Sequence, residues 1–161
     1  MKSHYEIKPP ILLNANSISV TRDFNTHSRL SESDKLFSFA LAQGVEKWTK
    51  VRLRACSKHG TAQVTIQDAS IIELPNTRNP EEIVGRLDVV LSISNKAGVV
   101  LSVAEAKVRQ KVLAPINVTE SELKILMQSL ITKLVDELDA EMEGILLKMT
   151  KVSSKPKKNL K

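Results

Sequence analysis

The order of apolar and polar positions lays out most of the chain. Residues 1–10 carry no periodicity, and Pro9-Pro10 oppose regular pairing, so this stretch reads as an extended lead-in. Leu12, Ile18, Val20 and Phe24 share one parity, which predicts a first strand over 11–24. Asn25 to Ser33 is polar and turn-like. A helix is expected from Ser31 or Ser33, because Phe37, Leu41, Val45, Trp48, Val51 and Ala55 recur every three or four residues in one stripe. Ser31 and Asp34, three apart, give part of a capping pattern. The helix is expected to end at Ser57 to Gly60, where glycine can take positive φ.

Ala62, Val64, Ile66, Ile72 and Leu74 then share even parity against Thr61, Gln63, Thr65, Gln67 and Glu73, a strand with one packed face. Asp68 and Ser70 interrupt it and predict a bulge. Residues 75–82 form a loop with Pro75 and Pro80. Leu87, Val89, Leu91 and Ile93 make a third strand, and Asn95-Lys96-Ala97-Gly98 supplies hairpin chemistry. Val99, Leu101 and Val103 open a fourth strand that runs through Val108 to Val112 and closes at Pro115. Thr119 and Glu122 form a capping box before a long stripe of Leu123, Met127, Leu130, Leu134, Leu138, Met142, Ile145 and Met149. About 30 helical residues span ~45 Å, more than a small sheet covers. The stretch from Met142 to Met149 therefore either projects as a partner surface or folds back on the core, and Gly144 marks a candidate kink. The order β-α-β-β-β-α predicts an α+β fold, a four-stranded mainly antiparallel sheet with two helices packed on one face. The chain divides into a lead-in (1–10), one domain (11–149) and a basic flexible tail (150–161).

Charge changes this picture at one place. Of 161 residues, 42% are hydrophobic and 26% charged, as in globular chains, with a net charge of +6. Lys151, Lys155, Lys157, Lys158 and Lys161 carry five of those charges with no acid among residues 151–161, so the body is nearly neutral. Such a tail can touch anionic lipid or nucleic acid, and a solvated terminus has the same composition. Aromatic content of only 3% gives an aliphatic core and speaks against a stacking platform for bases.

The chemistry of sites adds little. Cys56 stands alone, so no internal disulfide forms, and it is expected as a structural thiol at a helix end. Cys56 and His59 have C-x-x-H spacing but no further ligands nearby, so no metal is expected. Asp136, Asp139 and Glu143 read as the solvated flank of the last helix rather than as acid–base groups. Phosphate-binding glycine motifs are absent, and no cofactor or enzymatic activity is expected. No signal peptide opens the sequence as written, which taken literally means cytoplasmic; a chain starting after a cleaved leader would look the same.

Trp48-Thr49-Lys50-Val51-Arg52-Leu53-Arg54-Ala55 and Gly60-Thr61-Ala62-Gln63-Val64-Thr65-Ile66-Gln67-Asp68-Ala69-Ser70 resemble segments of small bacterial outer-membrane lipoproteins. Arg86-Leu87-Asp88-Val89 and Ala104-Glu105-Ala106-Lys107-Val108-Arg109 fit the same strands, so the resemblance covers roughly residues 11–149. The element order is also similar to that of auxiliary lipoproteins of intermembrane lipid transporters and of the lipoprotein plug of the lipopolysaccharide-assembly barrel. This resemblance implies a non-enzymatic periplasmic domain at the outer membrane, an adaptor with an envelope protein complex or lipid as partner. The edge residues Ile11 to Val20 and the loop from Pro75 to Pro80 would serve it. The leader and acylated cysteine of that family are missing here, and Cys56 follows a helix and cannot replace the cysteine. Two other readings stand beside it: a cytoplasmic interaction module such as a secretion chaperone, and a nucleic-acid binder acting through the tail.

Overall fold

The longest apolar alternations become the long strands of one sheet. The computed structural model of the chain describes residues 4–23, 32–74, 81–115 and 117–159. Its elements are β1 (Ile11–Leu13), β2 (Ser17–Arg22), α1 (Glu32–Arg52), β3 (Leu53–Ala55), β4 (Thr61–Leu74), β5 (Glu81–Ser94), β6 (Val100–Ala114) and α2 (Glu120–Asn159). The main sheet has the order β2-β4-β5-β6. β2 lies parallel to β4, while β4-β5 and β5-β6 are antiparallel. Both helices cover one face, so the α+β expectation and the order β-α-β-β-β-α hold.

The expected first strand is two strands. β1 pairs in parallel with β3, and β2 in parallel with β4. Asn16 N–H donates to the Gly60 carbonyl at 2.9 Å and Ser57 N–H to the Ala15 carbonyl at 3.0 Å, which carries the ladder across the break. The same pairing shortens the helix. Leu53–Ala55 take hydrogen bonds from β1 instead of continuing α1, so α1 ends at Arg52 rather than at Ser57 to Gly60. Cys56 consequently follows a strand, and its exposed thiol donates to the Leu13 carbonyl at 3.2 Å. Residues 4–7, expected as extended lead-in, form a 3-10 turn that buries Tyr5.

The bulge falls where Asp68 interrupts the alternation, between Ile66 and Asp68. One extra residue moves every later side chain to the other face. Ala69 and Ile71 are therefore the buried positions, and Ile72 and Leu74 leave the core. Past the end of β2, the N–H of Ile71 has no strand partner on that side among the described residues and donates to the buried Ser38 hydroxyl of α1 at 3.0 Å. On β6 the core face is Ala104, Ala106 and Val108; Val99, Leu101 and Val103 lie outside it and are exposed. α2 lies close to the sheet at its middle. A Cβ on Gly85 of β5 would sit 2.5 Å from Leu134 of α2. The Thr119 capping box forms as expected, with Glu122 N–H donating to Thr119 Oγ1 at 3.1 Å. Met142 and Leu146 are buried, so this part of α2 folds on the core and does not project, and Gly144 lies inside the continuous helix. Phe24, the Ser31 cap and the loop 75–80 lie outside the described residues.

Candidate interaction surface and the charge network behind it

Arg52 and Asp139 end up inside the protein, each 1% exposed. Asp139 is an intrusion into the stripe of α2, four residues after Val135 and three before Met142, which puts it against α1. Its Oδ1 accepts from Arg52 Nε at 2.6 Å and from Trp48 Nε1 at 2.9 Å, and its Oδ2 accepts from Lys8 Nζ at 3.1 Å. Arg52 Nη2 donates to Glu143 Oε1 at 2.5 Å, and its Nη1 donates to the Pro9 carbonyl. One guanidinium thus ties α1, α2 and the N-terminal segment together. Tyr5 and the Glu6–Lys47 ion pair hold the same segment against α1. The expectation of a solvated face at Asp139 is corrected: a buried carboxylate survives because each of its oxygens is paired.

Burial by itself would raise the pKa of Asp139, since it disfavours the charged form. Hydrogen bonds from Arg52, Trp48 and Lys8, and the charge of Arg52, outweigh it and hold the carboxyl below the usual range. A native pKa below the unfolded value of about 3.9 gives stability that is present above that pH and is lost as pH falls through the native value. Asp139→Asn cannot ionise. The urea midpoint of the wild type is therefore expected to exceed that of Asp139→Asn at pH 7, with the gap closing below about pH 4. A gap independent of pH would contradict this assignment.

Outside the network, the main sheet has two outer strands among the described residues. β2 is an outer strand, as expected of Ser17 to Val20, and β6 is the other. The open sheet face is polar on β2 and β4, with the exposed Val103 and Leu113 on β6: Ser19, Thr21, Gln63, Thr65 and Ser92 lie toward one end, and Gln63 Nε2 donates to Thr21 Oγ1 at 3.0 Å. Toward the other end charges pair across strands, Arg109 with Asp88 at 2.7 Å and Lys111 with Glu82 at 2.8 Å. The hairpin between β5 and β6 is the predicted one. Asn95 Oδ1 accepts from the N–H groups of Ala97 and Val99 at 2.9 and 3.0 Å, and Gly98 takes φ 85. This fixed turn presents Val99, Val100 and Leu101 to solvent.

The α2 backbone continues to Asn159, but the side chains of Lys151, Lys155, Lys157, Lys158 and Lys161 lie outside the described residues. Cys56 and His59 gain no further ligand: among the described residues no group of three or more His, Cys, Asp or Glu is placed to hold a metal. No described helix is long and apolar enough to cross a membrane.

No family model matches the chain, and no curated protein matches it. Solved structures similar to it include bacterial lipoproteins. A minor lipoprotein from Acinetobacter baumannii aligns with a TM-score of 0.43 and 12% identity, over 84% of this chain and 90% of that one. The rare lipoprotein B from Shewanella oneidensis aligns with a TM-score of 0.44 and 8% identity, over 86% and 99%. A lipoprotein B from Nitrosomonas europaea gives 0.41 and 11%, over 89% and 88%. These likenesses concern the course of the chain.

Proposed function

We propose that this chain is the folded domain of a bacterial envelope lipoprotein. It would be tethered through sequence on the N-terminal side of residue 4 and act without catalysis as an adaptor in an outer-membrane assembly. Such an assembly moves lipid or lipopolysaccharide, or serves a secretion machine. The observation that carries the reading is the clamp on the N-terminal segment. First residues of most domains fray unless tied down. Here Lys8 and Pro9 bond to fully buried groups of α1 and α2, and Tyr5 is buried beside them. A domain held by a tether needs this join, because any pull on the tether must reach the core rather than peel the chain away. Trp48 and Arg52, which belong to the segment carrying the lipoprotein resemblance, are the groups that build the join. In this reading the free edges of β2 and β6 receive partner strands, since an open edge offers main-chain hydrogen bonds to an added strand.

Expression of the native gene with whatever precedes Met1, followed by spheroplast proteolysis and fractionation, tests this. The protein is expected in the envelope, accessible to protease and released by detergent but not by salt. Protein protected inside intact spheroplasts and soluble after lysis would overturn the reading.

A further inference from the structure

The chain passes one end of the domain four times: at β1 and the start of β2, between β3 and β4, at the β5-β6 hairpin, and in the late turns of α2. Residues 11–21, 53–67, 89–104 and 144–149 contain no Asp or Glu. They bring exposed Arg54, Lys58, Lys96 and Lys148. Among the described residues none of these four is in an ion pair, in contrast to the cross-strand pairs at the other end. Between the cations stand apolar side chains. Leu12, Val99, Val100, Leu101, Val103 and Leu147 are each more than half exposed. Leu12 and Leu101 also line a groove of ≈ 260 Å³ whose floor includes Leu146.

We propose that this end docks on an anionic lipid bilayer, with the hairpin tip and Leu12 entering the interface and the cations meeting the headgroups. Three features select this occupant. Unpaired cations with no carboxylate among them complement a negative surface. The apolar groups sit on a protruding turn made rigid by Asn95, a shape that penetrates a fluid interface rather than matching a flat partner. The described aromatic residues Tyr5, Phe37, Phe39 and Trp48 lie elsewhere in the sequence, on the N-terminal turn and α1, so this end gives nucleic-acid bases nothing to stack on. The inference does not depend on the lipoprotein reading, because the unanchored chain suffices to test it.

Cys56 is the single cysteine and lines the same groove, so an environment-sensitive fluorophore placed there reports docking. The labelled chain is titrated with vesicles of phosphatidylglycerol and phosphatidylcholine, and with phosphatidylcholine alone. Binding is expected to be about tenfold or more tighter to the anionic vesicles. Val99→Asp with Leu101→Asp is expected to weaken it about tenfold, and Lys96→Glu about fivefold. Leu113→Asp, at the opposite end of β6, leaves it unchanged. Three results would overturn the proposal. One is no preference for anionic vesicles. The second is binding insensitive to the hairpin substitutions but abolished by removing residues 150–161, which assigns it to the tail alone. The third is equal competition by duplex DNA at the same salt.

Discussion

Replacing Arg52 by methionine is expected to destabilise the domain by about 3–5 kcal/mol, a large part of the roughly 5–15 kcal/mol that holds an ordinary domain together. Methionine keeps most of the volume, so the loss comes from charge and not from a cavity. Asp139 would stay 1% exposed and keep only Trp48 and Lys8 as donors. Glu143 and the Pro9 carbonyl would lose their Arg52 partner. Urea unfolding followed by Trp48 fluorescence measures the effect. Arg52→Met with Asp139→Asn is expected to cost less than the sum of the single changes, with a coupling of about 0.5–3 kcal/mol, because both halves of one interaction are gone. Additive losses would show that the pair acts as two independent groups. Amide exchange in residues 4–8 is expected to accelerate in Arg52→Met even under conditions where the sheet stays protected, since the clamp is lost before the core.

Gly60→Ala is the second large effect. Gly60 takes φ 90, a conformation that costs other residues about 1–3 kcal/mol. A Cβ there would also lie 2.5 Å from the Ser94 carbonyl oxygen, which is backbone and cannot swing aside. Gly98 separates the two contributions. It has φ 85, but a Cβ on it meets nothing within 4 Å. Gly98→Ala should therefore show only the backbone cost, and Gly60→Ala that cost plus the displacement of the end of β5. Equal losses at both positions would remove the close approach from the account. Because Ser94 leads into the hairpin, Gly60→Ala should also weaken vesicle binding.

Local pattern made much of the fold legible. Ala62, Val64 and Ile66 against Thr61, Gln63 and Thr65 predict their strand, and Thr119 with Glu122 predicts the start of α2. What local pattern does not contain is the partner. Leu53–Ala55 continue the helical stripe, yet β1 captures them from 42 residues away in sequence. Asp68 and Ser70 signal the bulge, but the exchange of Ile72 for Ile71 in the core follows only when the extra residue is carried through the ladder. Val99, Leu101 and Val103 alternate as well as any core face. The register of β6 on β5 puts Ala104, Ala106 and Val108 opposite the buried Leu91, Val89 and Leu87, so Val99, Leu101 and Val103 are left outside.

The site was legible in its residues and illegible in its contacts. Trp48 and Arg52 stand in the segment resembling lipoproteins, but their bonds to Asp139 span 91 and 87 residues. A carboxylate on an amphipathic helix ordinarily belongs to the wet side. The available signal was its place between Val135 and Met142, on the edge of the apolar stripe. The acid-free end is likewise spread over four segments, each unremarkable alone, and only the topology gathers them.

The central claim, a domain built to be held by its N-terminus in the envelope, is tested most directly by the intact mass of the mature protein made from the native gene. The account predicts an acyl-modified cysteine at the N-terminus, on sequence preceding the clamped segment at Tyr5 to Pro9. An unmodified N-terminus at Met1 would contradict it.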